Sequence, residues 1–305
     1  NTITNLQTNF GTVSAVKVLN TVNDLAETEI TGNNIDNIQS GISNLDLIKS
    51  ADPMLQKILL IPFPELYGSA NAVYVNSELR EAGTAQNKIS KNNISRIKGI
   101  QFSKLFPIDL YFAEDFSTNA VMLNNSGVDA SVFNEINDNN IQLAITADNE
   151  GSQRGIFVNN SAYSYSPEYN RMAVRKVAGL KTAETEIIGN KISGLYSMYG
   201  RSSGILLNNE ISSSSQIEIS KNKISDISST NYSAAGINLE HNKVKAAENL
   251  IIEDNTFSNQ ENGIVIPANI FENDELLEEF VSYLEEKNNF DGNSISKNVK
   301  TIYLD

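Results

Sequence analysis

The feature that most constrains this chain is a frame that returns in phase. Residues 26–35 read Ala-Glu-Thr-Glu-Ile-Thr-Gly-Asn-Asn-Ile, and residues 183–192 read Ala-Glu-Thr-Glu-Ile-Ile-Gly-Asn-Lys-Ile. The plainest copy, 217–227, is an apolar–polar alternation, a turn at Lys221-Asn222 and a second alternation. Alternation with a period of two marks a strand with one buried face. The triplet Asn-x-Ile/Phe recurs at 33–35, 92–94, 139–141, 190–192, 222–224, 255–257 and 293–295. In a chain with 42 asparagines among 305 residues such triplets also arise by chance, so the longer frame carries the inference. Ile-Ser-Lys-Asn keeps one phase at 89–92 and 219–222, and a third copy at 295–298 falls out of it.

A second strand family follows each frame. It reads Ala-Val-Lys-Val from 15, Ala-Val-Tyr-Val from 72, Ala-Val-Met-Leu from 120, Gly-Ile-Phe-Val from 155 and Gly-Ile-Leu-Leu from 204. It continues as Gly-Ile-Asn-Leu from 236, Gly-Ile-Val-Ile from 263 and Thr-Ile-Tyr-Leu from 301. Eight members, with only two or three candidate helices between them, argue against an ordinary βαβ sheet. They predict an all-β solenoid, a right-handed parallel β-helix of about eight rungs. A lone rung cannot bury its inward Ile and Val, whereas stacked rungs do. Asn at a corner tolerates left-handed backbone and can form a ladder of side-chain amides. The chain reads as one domain over 1–305, with the open possibility of being a fragment of a longer protein.

Insertions interrupt the frame beside the second strand family, at 43–70, 98–118, 160–184 and 268–289. They are expected to wall that strand face and leave a groove. The outward positions of the strands, Tyr74, Met122, Phe157, Leu206 and Val265, form an apolar stripe that needs a cover. Beside it Asn76, Asn124, Asn159, Asn208 and Glu240 make a second ladder or a polar rim. Residues 273–287 predict a helix capped by Asn273, with Leu276, Leu277, Phe280, Val281 and Leu284 on one side. It docks on the stack or serves self-association, as would exposed β-helix ends.

A net charge of −14 disfavours nucleic acid as a partner, because phosphates need a basic stripe. The absence of cysteine excludes disulfides, thiolate metal sites and a Cys nucleophile. No apolar run is long enough to cross a membrane.

The repeated frame, the Asn corners and the Gly-Ile-x-Leu strands resemble the right-handed parallel β-helix proteins of the pectate-lyase-like superfamily. That resemblance implies the fold over nearly the whole chain and a bacterial, secreted or cell-surface location. It places a site on the walled strand face. The Asn-Thr-Asp, Asp-Asp and Gly-His-Gly motifs of polygalacturonases are absent, as is the Asp-Pro-His-Glu of mannuronan epimerases. The resemblance therefore supplies no catalytic residue.

The residues themselves point to 154–201. Arg154, Tyr163, Tyr165, Tyr169, Arg171, Arg175, Lys176, Tyr196, Tyr199 and Arg201 form a basic and aromatic cluster in an acidic chain. Aromatic faces suit sugar rings, and Arg offers a fork to carboxylates. The ligand expected is thus a polysaccharide or host glycan, acidic in character. Candidate acid/base residues for a lyase or glycoside hydrolase are Glu114, Asp115, Asp148 and Glu150. No metal or cofactor is expected, although a lyase would be compatible with Ca²⁺ held by carboxylates. The lone histidine, His241, reads as a turn residue. A structural stalk, adhesin or phage-type tailspike is the remaining alternative.

Overall fold

Each copy of the frame has an apolar face that a single strand cannot cover. In a computed structural model of the chain, the cover is the next copy. The structure describes residues 1–8, 12–40, 69–80, 82–99, 117–127, 129–143, 151–160, 180–197, 200–209, 214–230, 232–240, 249–267, 270–271, 274–291 and 300–301. The first rung is β1 (Thr2–Thr8), β2 (Val13–Val22) and β3 (Leu25–Thr31); the second is β4 (Asn34–Ser40), β5 (Ala70–Leu79) and β6 (Thr84–Ser90). The third is β7 (Asn93–Gly99), β8 (Ser117–Gly127) and β9 (Ser131–Asn137); the fourth is β10 (Asn140–Gln142), β11 (Ser152–Asn160) and β12 (Thr182–Ile188). The fifth is β13 (Lys191–Ser197), β14 (Ser202–Asn209) and β15 (Ser214–Ser220); the sixth is β16 (Lys223–Ser229), β17 (Ala234–Glu240) and β18 (Leu250–Glu253). The seventh has β19 (Thr256–Gln260) and β20 (Asn262–Pro267), then helix α1 (Asp274–Lys287) in place of a third strand. β21 (Asn289–Asp291) and β22 (Lys300–Thr301) begin the eighth.

First strands of the rungs stack as sheet A, second strands as sheet B and third strands as sheet C, with eight, eight and six strands. Every pairing is parallel and in register, as in Ile35↔Ile94, Val73↔Val121 and Ile89↔Ile136. The inward columns are those of the frame. Sheet A contributes Ile35, Ile94, Ile141, Ile192, Ile224 and Phe257, and sheet C contributes Ile89, Ile136, Ile187, Ile219 and Ile252, each fully buried. At about 1.5–3 kcal/mol per buried side chain, these columns are the main force that holds the rungs together.

All six corners from sheet C to sheet A are two residues long. The first corner residue takes left-handed backbone at Gly32, Lys91, Asp138, Gly189, Lys221 and Asp254, with φ between 56° and 70°. The second is always the Asn of the frame. Its side-chain oxygen accepts two bonds from the Asn one rung before: the backbone N–H and the Nδ2 of Asn139 both donate to Asn190 Oδ1 at 3.0 Å. The ladder runs through Asn1, Asn33, Asn92, Asn139, Asn190, Asn222, Asn255 and Asn288. Its second amide proton binds a carbonyl of the preceding rung, as Asn139 does with Ile89 O at 2.9 Å. The corners thus leave no room for insertions. Length varies instead at both edges of sheet B, from one residue (Glu261) to the twenty-nine of 41–69 before it, and up to the twenty-one of 161–181 after it.

In sheet B the small residue that precedes each apolar pair is a point of close approach. A Cβ on Gly204 would lie 2.6 Å from Gly236 O and 2.7 Å from Ile224 Cγ2; on Gly155 it would lie 2.5 Å from Gly204 O. The preference for Gly at this column in later rungs follows from that close approach.

Two expectations are corrected at the C-terminal rungs, and of the two alternatives for the helix the structure shows docking on the stack. The last ladder position is Asn288, and Phe290 pairs with Phe257, so the final triplet is 288–290 and not 293–295. It escaped the frame because α1 replaces the alternation that precedes every other copy. Thr301 pairs with Pro267 rather than standing beside Gly263. Helix α1 buries Leu277, Phe280 and Leu284 in the core and packs against β18, so its apolar stripe caps the edge of sheet C.

A feature absent from the expectations runs inside the solenoid. Asn20, Ser77, Asn125, Asn160 and Asn209 of sheet B face Thr28, Asn87, Asn134 and Thr185 of sheet C. Asn87 Nδ2 donates to Asn125 and Asn134 Oδ1 at 3.1 and 3.0 Å, and Asn125 Nδ2 donates to Asn160 Oδ1 at 2.9 Å. This buried amide seam separates the main core from a small cluster of Leu79, Ala85, Ala130, Val132, Leu180 and Ala183. Low dielectric strengthens such bonds and penalises each unmade one. The seam stops where sheet C turns apolar at Ile217 and Leu250, and Asn209 Oδ1 there has no partner.

Candidate functional site

The outer face of sheet B is ordered in columns by its parallel register. Lys17, Tyr74, Met122, Phe157, Leu206, Asn238 and Val265 stand one above another. Tyr74, Met122 and Leu206 are 3–4% exposed although they point outward, and Phe157 and Val265 are half-buried. Beside them the predicted rim is a hydrogen-bonded ladder. Asn124 Nδ2 donates to Asn76 Oδ1 at 2.5 Å, Asn159 to Asn124 at 2.7 Å, and Asn208 to Asn159 at 2.9 Å. Its donors point toward the first rung, opposite to those of the corner ladder. It ends at Glu240, an acceptor when ionised. Asn208 Oδ1 is accordingly left without a partner.

Arg154 lies on this face, in register with Asn119 and Ser203. Its guanidinium sits over the Phe157 ring, 4.6 Å from the centroid, a cation–π contact that fixes a long side chain against the sheet. Arg201 enters one rung later, just before β14. Its guanidinium donates to Glu240 Oε1 at 3.0 Å, and both side chains are less than a third exposed. Asn238 Nδ2 donates to the same oxygen at 3.2 Å. The two arginines, expected together, do share the leading edge of sheet B in adjacent rungs.

Tyr196 does not join them. It lies on β13 of sheet A, where its hydroxyl is 2.8 Å from Thr230 Oγ1 and its N–H donates to Gln153 Oε1 at 3.1 Å. Tyr163, Tyr165, Tyr169, Arg171, Arg175, Lys176 and Tyr199 lie outside the described residues, as do Glu114, Asp115, Asp148, Glu150 and His241. So do most of the walling segments and Asn273.

Electrostatics elsewhere is structural. On sheet A, Asp36 accepts from Arg96 Nε at 2.7 Å and from Ser95 Oγ at 2.7 Å. The Arg96 hydrogen bond is the main reason its carboxyl is lowered to about 2. On sheet C, Glu135, Glu186 and Glu218 are consecutive in register. Burial, then the neighbouring glutamates, push Glu186 upward. Among the described residues no three His, Cys, Asp or Glu come together as metal ligands, and no helix is long and apolar enough to cross a membrane.

Searches with family models, against curated proteins and against solved structures find no match for this chain.

Proposed function

We propose that the outer face of sheet B binds an acidic polysaccharide or host glycan. The protein is read as a bacterial, secreted or surface-borne β-helix of the pectate-lyase-like kind. The observation that carries the proposal is Arg154 held over Phe157 in the middle of the sheet, with Arg201 one rung on. A cation pre-positioned on an apolar ring loses little freedom when a carboxylate arrives. Parallel strands set these groups about 4.8 Å apart per rung, a spacing suited to an extended chain. Connections that vary only at the edges of sheet B support the same face, since variable segments around a rigid scaffold are where binding sites are built.

The test is titration of polygalacturonate, alginate and hyaluronate against the wild type and Arg154→Ala, with melting followed in parallel. Saturable binding to one of them, weakened about tenfold or more in the variant at unchanged melting, is the expected result. Absence of binding to all three, or equal binding by the variant, overturns the proposal. Release of unsaturated uronate products in the same mixtures would extend it from a binding protein to a lyase.

A further inference from the structure

Outside the first rung and helix α1, one large apolar side chain is exposed among the described residues: Tyr232, at 48%. It stands in the connection from β16 to β17, at the corner where sheet A passes into sheet B. That corner is tied down from below. Tyr232 N–H donates to Ser229 Oγ at 3.3 Å, and Ser229 Oγ–H donates to Gly200 O at 2.8 Å in the preceding rung. The same device recurs one rung earlier. Gly200 N–H donates to Ser197 Oγ at 2.7 Å, Ser197 Oγ–H donates to Gly151 O at 2.8 Å, and Ser197 is the register partner of Ser229. Thr230 N–H donates to Ser197 O at 3.0 Å. The aromatic ring is therefore exposed on a turn that its neighbours hold in place.

A concavity of about 730 Å³ opens beside the ring. Ser228, Ser229, Thr230, Ser233 and Glu261 are among its lining residues. The Ser229 hydroxyl is held by Gly200 O and the Tyr232 N–H, and that of Thr230 lies 2.8 Å from the Tyr196 hydroxyl. Glu261 Oε2 accepts the Ala234 N–H at 3.2 Å, which fixes that carboxylate at the rim. No Lys or Arg is among the lining residues. An exposed aromatic face with hydroxyls and one anchored carboxylate is the chemistry that recognises a sugar. The ring takes the C–H face, and the carboxylate accepts hydrogen bonds from neighbouring hydroxyls. The same carboxylate repels a uronate. This separates the corner from the arginine-bearing face of sheet B.

We infer that the Tyr232 concavity is a binding subsite for a neutral sugar, stacked on Tyr232 and hydrogen-bonded by Glu261. It does not depend on the acidic-glycan reading of sheet B, which is read out by different probes.

The experiment titrates neutral gluco-, manno- and galacto-oligosaccharides against the whole chain and follows them by calorimetry and NMR. The expected result is saturable binding of at least one series. Tyr232→Ala weakens it about tenfold or more, and Tyr232→Phe retains it because the ring remains. Glu261→Gln narrows the preference for the neutral series over its uronate counterpart. Because Tyr232 is exposed, the alanine variant keeps the wild-type melting curve, which separates lost binding from lost folding. Failure of every neutral series to saturate, or equal binding by Tyr232→Ala, overturns the inference.

Discussion

Substituting Asn190 by Ala in the middle of the corner ladder tests what holds the rungs in register. Asn190 Oδ1 accepts from both the N–H and the Nδ2 of Asn139 at 3.0 Å. Its Nδ2 donates to Asn222 Oδ1 at 3.0 Å and to Ile136 O at 2.7 Å. All four partner atoms are buried. Truncation strands the N–H and one Nδ2 proton of Asn139 and takes one bond each from Ile136 O and Asn222 Oδ1, the latter keeping the N–H of residue 190 at 2.9 Å. A stranded buried polar group costs about 1–3 kcal/mol, although relaxation and water entry recover part of it. A net loss of about 2–4 kcal/mol is expected. Asn1, at the end of the same ladder, offers the internal comparison. It gives Asn33 Oδ1 one bond at 3.2 Å and is itself exposed, so Asn1→Ala should cost about 1 kcal/mol or less. Urea denaturation of both variants measures the difference, with midpoint and slope fitted together. A loss below about 1 kcal/mol for Asn190→Ala, or equal losses for the two, would refute the view that corner amides carry register.

Other outcomes follow from single contacts. Gly204→Ala should destabilise by about 1–3 kcal/mol in urea, because the new Cβ meets backbone oxygen at 2.6 Å. Phe280→Ala, which empties a buried site between Phe271 and Tyr283, should cost about 3–5 kcal/mol and loosen the end of sheet C in hydrogen exchange. Asp36 has a folded-state pKa below its unfolded value, so its stabilisation is present above about pH 4 and fades as pH falls toward about 2. Arg96→Ala should remove that dependence from melting curves taken across this window. Glu186 is shifted the opposite way. Its ionised form therefore weakens the fold at neutral pH, and Glu186→Gln should raise the melting temperature there. That gain should vanish as pH falls through the ordinary carboxylate range.

The corner ladder was readable in the sequence because one physical demand, a left-handed residue followed by Asn, recurs at a fixed place with no tolerance for insertion. The strand columns were readable for the same reason. The amide seam was not, although its residues stand beside those of the outer rim. In the pairs Asn124-Asn125, Asn159-Asn160 and Asn208-Asn209 the first side chain points out and the second points in. A reading that keeps inward positions apolar sees only the first. The sheet B glycines were legible as small residues, but their cause, an Ile or Phe from sheet A and a carbonyl from the next rung, is a tertiary contact. At the candidate site, Arg154 and Arg201 stood out by charge. Glu240 as the partner of Arg201 did not, because thirty-nine positions separate them and only the register brings them together. Tyr196 was drawn to the cluster by proximity in sequence, whereas the corner carries it onto sheet A.

The most direct test of the sheet B reading is to soak an oligouronate into crystals of the protein and locate the sugar. Density along the outer face of sheet B, with a carboxylate against Arg154 and a ring passing Phe157, is the predicted result. Well-ordered density elsewhere on the protein, with that face left empty, would contradict it.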